Sequence, residues 1–95
     1  MTLRSLFRLV VGAGAASLLA ASCASPLPEA GTPAAELYLR RCGTCHVPYR
    51  PGLMTAAMWG TMVDRMAVEM DRRGLALTED EKQEILGYLT RNSGG

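Results

Sequence analysis

The distribution of apolar and polar residues divides the chain into a short uncharged run, a proline-rich stretch and three amphipathic segments. Leu9 to Ala21 is apolar and uncharged, broken only by small residues such as Gly12 and Gly14. At 13 residues it is too short to be a comfortable membrane span. Residues 24–33 hold three prolines, a glycine and one long apolar side chain, a composition suited to a tether and not to a core. Thr32 followed by Pro33 has the residue types of a helix cap and first helical position, and the predicted first helix runs through Ala34 and Leu39 toward Cys42. The pattern predicts a second helix over about Thr55 to Arg73, stopped by Gly74. Thr78 and Glu81 have the spacing of a capping box, and Ile85, Leu86, Tyr88 and Leu89 follow on one face of a third helix ending near Asn92. Val47 to Gly52 reads as a loop, and no segment alternates as a strand. The expected fold is all-α, with about three helices.

The second helix carries a further pattern. Met54, Met58, Met62, Met66 and Met70 recur every four residues. Steps of four drift by only about 40° around a helix, so neighbouring methionines share a face. Most of such a stripe is flexible apolar packing.

Of the 95 residues ten are basic and nine acidic, a net charge of +1. Arg4 and Arg8 precede the apolar run, and the small residues Ala20, Ala21 and Ser22 follow it, which is the plan of a secretory signal over residues 1–22. Without those two arginines the remainder has a net charge of −1, and no basic stripe points to nucleic acid. Leu19 to Cys23 resembles a lipobox, in which Cys23 would be acylated and become the first residue of the mature protein. Ala24 and Ser25 lack the aspartate that retains lipoproteins at the inner membrane, so the outer membrane is the expected anchor. Residues 23–32 would then be a flexible tether and 33–95 the folded domain. A domain this small is marginal on its own apolar core and gains from a bound group that adds hydrophobic surface.

Cys42-Gly43-Thr44-Cys45-His46 supplies the candidate chemistry. Two cysteines three apart with a histidine directly after form the attachment signature of a c-type haem. Each thiol adds across one vinyl group, and His46 then places an imidazole nitrogen on the iron. A zinc site would need two more Cys or His, and only Cys23 remains. A thioredoxin-like pair would need an α/β context, which is absent.

With Tyr38 four residues before Cys42, Trp59 on the middle helix, and the closing run Leu77-Thr78-Glu79-Asp80-Glu81 with Ile85, Tyr88 and Leu89, residues 32–92 resemble a small class I cytochrome c. The resemblance implies a fold of about three helices around one covalent haem. It also implies that the first and last helices cross at a small residue, for which Ala34 and Gly87 are the candidates, with Tyr38 and Tyr88 in the core there. Cys42 to Leu89 also resembles one module of dihaem cytochromes with two histidine ligands per iron, through Pro51-Gly52-Leu53 and Trp59. The chain departs from that pattern because His46 is its only histidine. The resemblance further implies a methionine as sixth ligand. Counting back from Leu77 gives Met70, and counting on from Trp59 gives Met66. Met70 is the expected ligand and Met66 the alternative, with Lys82 a distant third.

Trp59 is expected against the haem edge or a propionate, its indole N–H needing a partner. Arg50, Arg72 and Arg73 are expected in solvent. The function expected is one-electron transfer without catalysis, between redox proteins that include a periplasmic dehydrogenase as a candidate partner. The alternative is a haem-based sensor or gas-binding module with an open or labile sixth site.

Overall fold

The computed structural model describes residues 25–95, and the signal segment 1–22 and Cys23 lie outside the described residues. Three α-helices and one short 3₁₀ turn make up the regular structure: α1 (Pro33–Cys42), the turn Pro51–Leu53, α2 (Ala56–Arg72) and α3 (Glu79–Arg91). No strand occurs among the described residues.

Each helix begins where a side chain can take up an orphan backbone N–H. Thr32 accepts from the Ala35 amide at 3.3 Å, with Pro33 in the first turn. Thr55 accepts from the Met58 amide at 3.2 Å. Thr78 and Glu81 satisfy one another's backbone amides, both at 3.1 Å, completing the capping box. The end of α2 is equally determined by local chemistry. The Leu75 N–H returns to the Met70 carbonyl at 2.8 Å and the Gly74 N–H to that of Asp71 at 3.1 Å. This is a Schellman motif, and it needs the left-handed conformation that Gly74 adopts at φ 73°.

The core joins all three helices. Helix α3 packs against both α1 and α2. Its Ile85, Tyr88 and Leu89 are completely enclosed, against Ala35, Leu37 and Tyr38 of α1 and Trp59 and Val63 of α2. Burying an aliphatic side chain of this size contributes roughly 1.5–3 kcal/mol. The Tyr38 and Tyr88 rings lie 5.5 Å apart, and the Tyr38 and Trp59 rings meet edge to face at 6.4 Å. Both tyrosines therefore belong to the core, as expected. The small residue enclosed there is Ala35, while Ala34 is only partly buried against the cluster. Gly87 does not supply a close crossing: a Cβ there would meet only the Arg91 side chain of its own helix, at 3.3 Å.

The stretch expected to be a free tether is bound to the domain from Ser25 onward. Arg50 donates to the carbonyls of Ser25 and Pro26 at 3.3 and 3.0 Å, and the Tyr88 hydroxyl donates to that of Pro28 at 3.0 Å. Leu27 packs on the core. Glu29 turns the chain at φ 54° and receives Arg91 at 3.0 Å together with the Asn92 amide. These contacts join residues far apart in sequence, which local composition does not reveal. At the other end, the Gly94 N–H donates to the Met54 carbonyl at 2.9 Å. The tail there passes so close to Gly52 that a Cβ on Gly94 would collide with its carbonyl.

Among the described residues no helix is long and apolar enough to cross a membrane.

Candidate functional site

Helix α1 delivers Cys42 at its last position, and the chain then leaves the helix through Gly43 to Cys45, His46 and the loop before α2. An apolar cleft of about 360 Å³ opens between this segment, α2 and α3. Cys42, Cys45 and His46 line one side of it, and Met62, Met66 and Met70 line the α2 side. Tyr38, Trp59, Val63, Ile85 and Leu89, all core residues, close its floor. The spacing of four explains the three methionines: consecutive turns of one helix face carry them past the same opening. Met54 and Met58 do not line it, and Met58 is more than half exposed.

The two thiols differ in setting. Cys42 is partly enclosed, and burial pushes its thiol up to about 11, against a smaller opposing effect of Arg41. Cys45 is exposed beside Arg73. Both are free. His46 is exposed and its Nδ1 lies 2.9 Å from the Val47 carbonyl oxygen. A carbonyl only accepts, so this contact assigns the ring proton to Nδ1 and leaves the Nε2 lone pair available to a metal. The Tyr49 ring stands over the imidazole at 5.5 Å.

Loop carbonyls are fixed by buried donors. The Tyr38 hydroxyl donates to the Tyr49 carbonyl at 2.6 Å, and the Trp59 indole N–H to the Pro51 carbonyl at 2.8 Å. Burial, with Cys42 and Tyr88 adding, raises the Tyr38 phenol above its ordinary value, so it remains a donor at neutral pH. Trp59 lines the cleft with its ring, but its N–H is committed to the turn, not to a propionate.

Arg41 spans the site's far side. It donates to the Leu75 and Ala76 carbonyls at 2.9 and 2.7 Å, and its Nε stands 3.3 Å from Glu81. That Nε contact is an ion pair out of line for a hydrogen bond. Arg41 thus ties the end of α1 to the start of α3. Nothing in its sequence neighbourhood signals this, because its partners lie 34 and more residues away. Arg73 lines the cleft and pairs with Glu69 at 3.1 Å, and Arg72 reaches the same carboxylate at 3.7 Å. Lys82 is drawn to Asp64 at 2.9 Å and does not line the cleft.

Residues 38–95 match the model of the dihaem cytochrome c family. This chain belongs to the dihaem cytochrome c family. No curated protein and no solved structure matches it. Membership makes it a haem-based electron-transfer protein with covalently bound haem c.

The residues present fit that cofactor. The cleft is apolar, both thiols of the attachment motif border it, and the histidine beside them has its tautomer set by a backbone carbonyl. When bound, haem c supplies reversible one-electron chemistry at iron. The chain's residues do the rest. Cys42 and Cys45 are the thiols available for thioether bonds, and His46 offers Nε2. Val63, Ile85 and Leu89 exclude water from the floor. Tyr38 and Trp59 hold the Tyr49 and Pro51 carbonyls, which keeps the loop beside His46 in one conformation. A loop so held limits rearrangement when the charge at the site changes.

Proposed function

We propose that this chain is an exported one-electron carrier with one haem c, held through Cys42 and Cys45 and ligated by His46 and Met70. Met66 is the alternative sixth ligand. Within these 95 residues there is one attachment motif and one histidine, so these residues do not supply two histidine ligands to one haem. The observation that supports a thioether ligand is that Met66 and Met70 border the same cleft as His46. Met70 is favoured because it is 7% exposed and sits where α2 ends, its carbonyl accepting the Leu75 and Arg73 amides. A methionine ligand raises the potential relative to paired histidines.

Residues 1–22 act as the export signal, and acylation of Cys23 anchors the carrier in the periplasm at the outer membrane. Docking with its redox partners, a periplasmic dehydrogenase among the candidates, is weak and transient. The carrier has no catalytic activity of its own.

An optical spectrum of the haem-loaded domain, oxidised and reduced, with and without carbon monoxide, tests this reading. A low-spin spectrum with the long-wavelength sulfur–iron band and no response to carbon monoxide is expected. Met70→Ala should abolish the band and Met66→Ala should retain it. The reverse result assigns Met66. A high-spin protein that binds carbon monoxide replaces the carrier with a sensor or gas-binding module.

A further inference from the structure

The strap at residues 25–29 determines which side of the domain faces the anchor. Only Ala24 separates Cys23 from Ser25, and two residues of extended chain reach about 7 Å. Ser25 and Pro26 are held by Arg50, so the domain's approach to the anchor is fixed at the loop before α2. That loop has an unusual surface. Val47 is 85% exposed and Leu53 66% exposed, and neither lines the cleft, so a bound cofactor leaves both uncovered. Tyr49 is half exposed between them. Residues 25–28 and 47–55 contain no acidic residue, and Arg50 carries the only charge there. The nearest carboxylate along the strap, Glu29, is neutralised by Arg91. Aliphatic residues, a tyrosine and an arginine together match the chemistry of a bilayer interface, where aromatic rings lie at headgroup level and arginine reaches phosphate.

We propose that the surface formed by Val47, Tyr49, Arg50, Leu53 and the strap's first residues rests on the lipid bilayer. The haem cleft, to which Pro48 and Tyr49 belong, then opens beside the membrane surface. This rests on acylation of Cys23. The occupant is lipid because the anchor leaves too little chain for the surface to turn away while Arg50 holds the strap. Anionic headgroups complement the single unpaired positive charge.

The test uses the full, haem-loaded chain in vesicles of phosphatidylethanolamine and phosphatidylglycerol. Spin labels are placed through Leu53→Cys or, as a distant control, Val68→Cys near the other end of α2. Mass spectrometry of the amino-terminal peptide reads the acyl groups. The label at 53 should collide more with lipid-dissolved oxygen than with a water-soluble nickel complex, and the label at 68 should show the reverse. Arg50→Ala, which releases Ser25 and Pro26 without touching the cleft while Tyr88 and Arg91 still hold Pro28 and Glu29, lengthens the free chain next to the anchor and should turn the label at 53 toward nickel while the haem spectrum stays unchanged. An acylated, vesicle-bound protein in which both labels favour nickel overturns the docked surface and leaves the anchor standing. A chain without acyl groups overturns both. An unchanged label in Arg50→Ala overturns Arg50 as the clamp.

Discussion

The α3 side of the molecule and the loop side of its cleft are built on different principles. Around α3, Ile85, Tyr88 and Leu89 are enclosed by protein alone, and the Tyr88 hydroxyl has its acceptor. Across the cleft, Cys45, His46 and Tyr49 are exposed, and the only regular structure is a three-residue turn. Two buried donors, Tyr38 and Trp59, fix this loop from behind. One side is therefore closed by its own packing, while the other presents a wall whose apolar contacts are completed by the haem. The difference teaches that the cofactor is a structural component of one half of this domain and a guest in the other.

The largest test removes that component. Replacing Cys42 and Cys45 together by alanine, so that no thioether forms, should lower the thermal midpoint more than any single core substitution. Amide exchange should rise first over residues 43–54. Equal melting of the attached and unattached forms would show that the loop side is as self-sufficient as the core. Next comes Ile85→Ala, expected to cost about 2–5 kcal/mol by transfer and cavity effects. Urea denaturation of the haem-loaded protein should show a lower midpoint at constant slope.

Trp59→Phe keeps an aromatic ring, smaller than the indole, but removes the donor to the Pro51 carbonyl, leaving a buried acceptor unpaired at about 1–3 kcal/mol beyond the lost packing. Its exchange signature should be confined to residues 51–55, and spreading into α3 would contradict the division drawn above. Gly74→Ala forces a side chain into the left-handed region of the Schellman motif, costing about 1–2 kcal/mol. Calorimetry reads that loss directly.

The smallest effect is a pH dependence. Arg91 and Asn92 hold the Glu29 carboxyl below its ordinary 4.5, and the Thr78 amide, with Arg41 assisting, does the same for Glu81. Carboxyls lowered on folding stabilise fully above 4.5 and lose that contribution as pH falls through their folded values. Urea midpoints between pH 6 and pH 3 should fall in that window. Glu29→Gln and Glu81→Gln should each flatten the curve.

The first and last helix starts were legible because caps are local: Thr32 with Pro33, and Thr78 with Glu81, act on amides three residues away, whereas Thr55, expected as the first residue of the second helix, is its cap. Gly74 was legible for the same reason. The attachment motif needs only five consecutive residues. Long-range contacts of the strap and of Arg41 were not legible, since a backbone carbonyl offers the same acceptor whatever its side chain. Trp59 announced that it needed a partner but not which one. The methionine pattern explains its own ambiguity: a period of four puts Met66 and Met70 along one cleft, so pattern alone cannot separate them.

Both ends of the described chain converge on a single short segment. Arg50 receives Ser25, while Met54 and Gly52 receive Gly94. A domain with its ends gathered this way hangs like a pendant from its amino-terminal attachment, with its carboxyl-terminal tail brought back to the same point. It also sets how the domain responds to tension. A pull between the two ends first loads the bonds that join Ser25 and Pro26 to Arg50 and Gly94 to Met54, so the outer strap and the tail peel away while Tyr38 and Trp59 still pin the loop to the three-helix core.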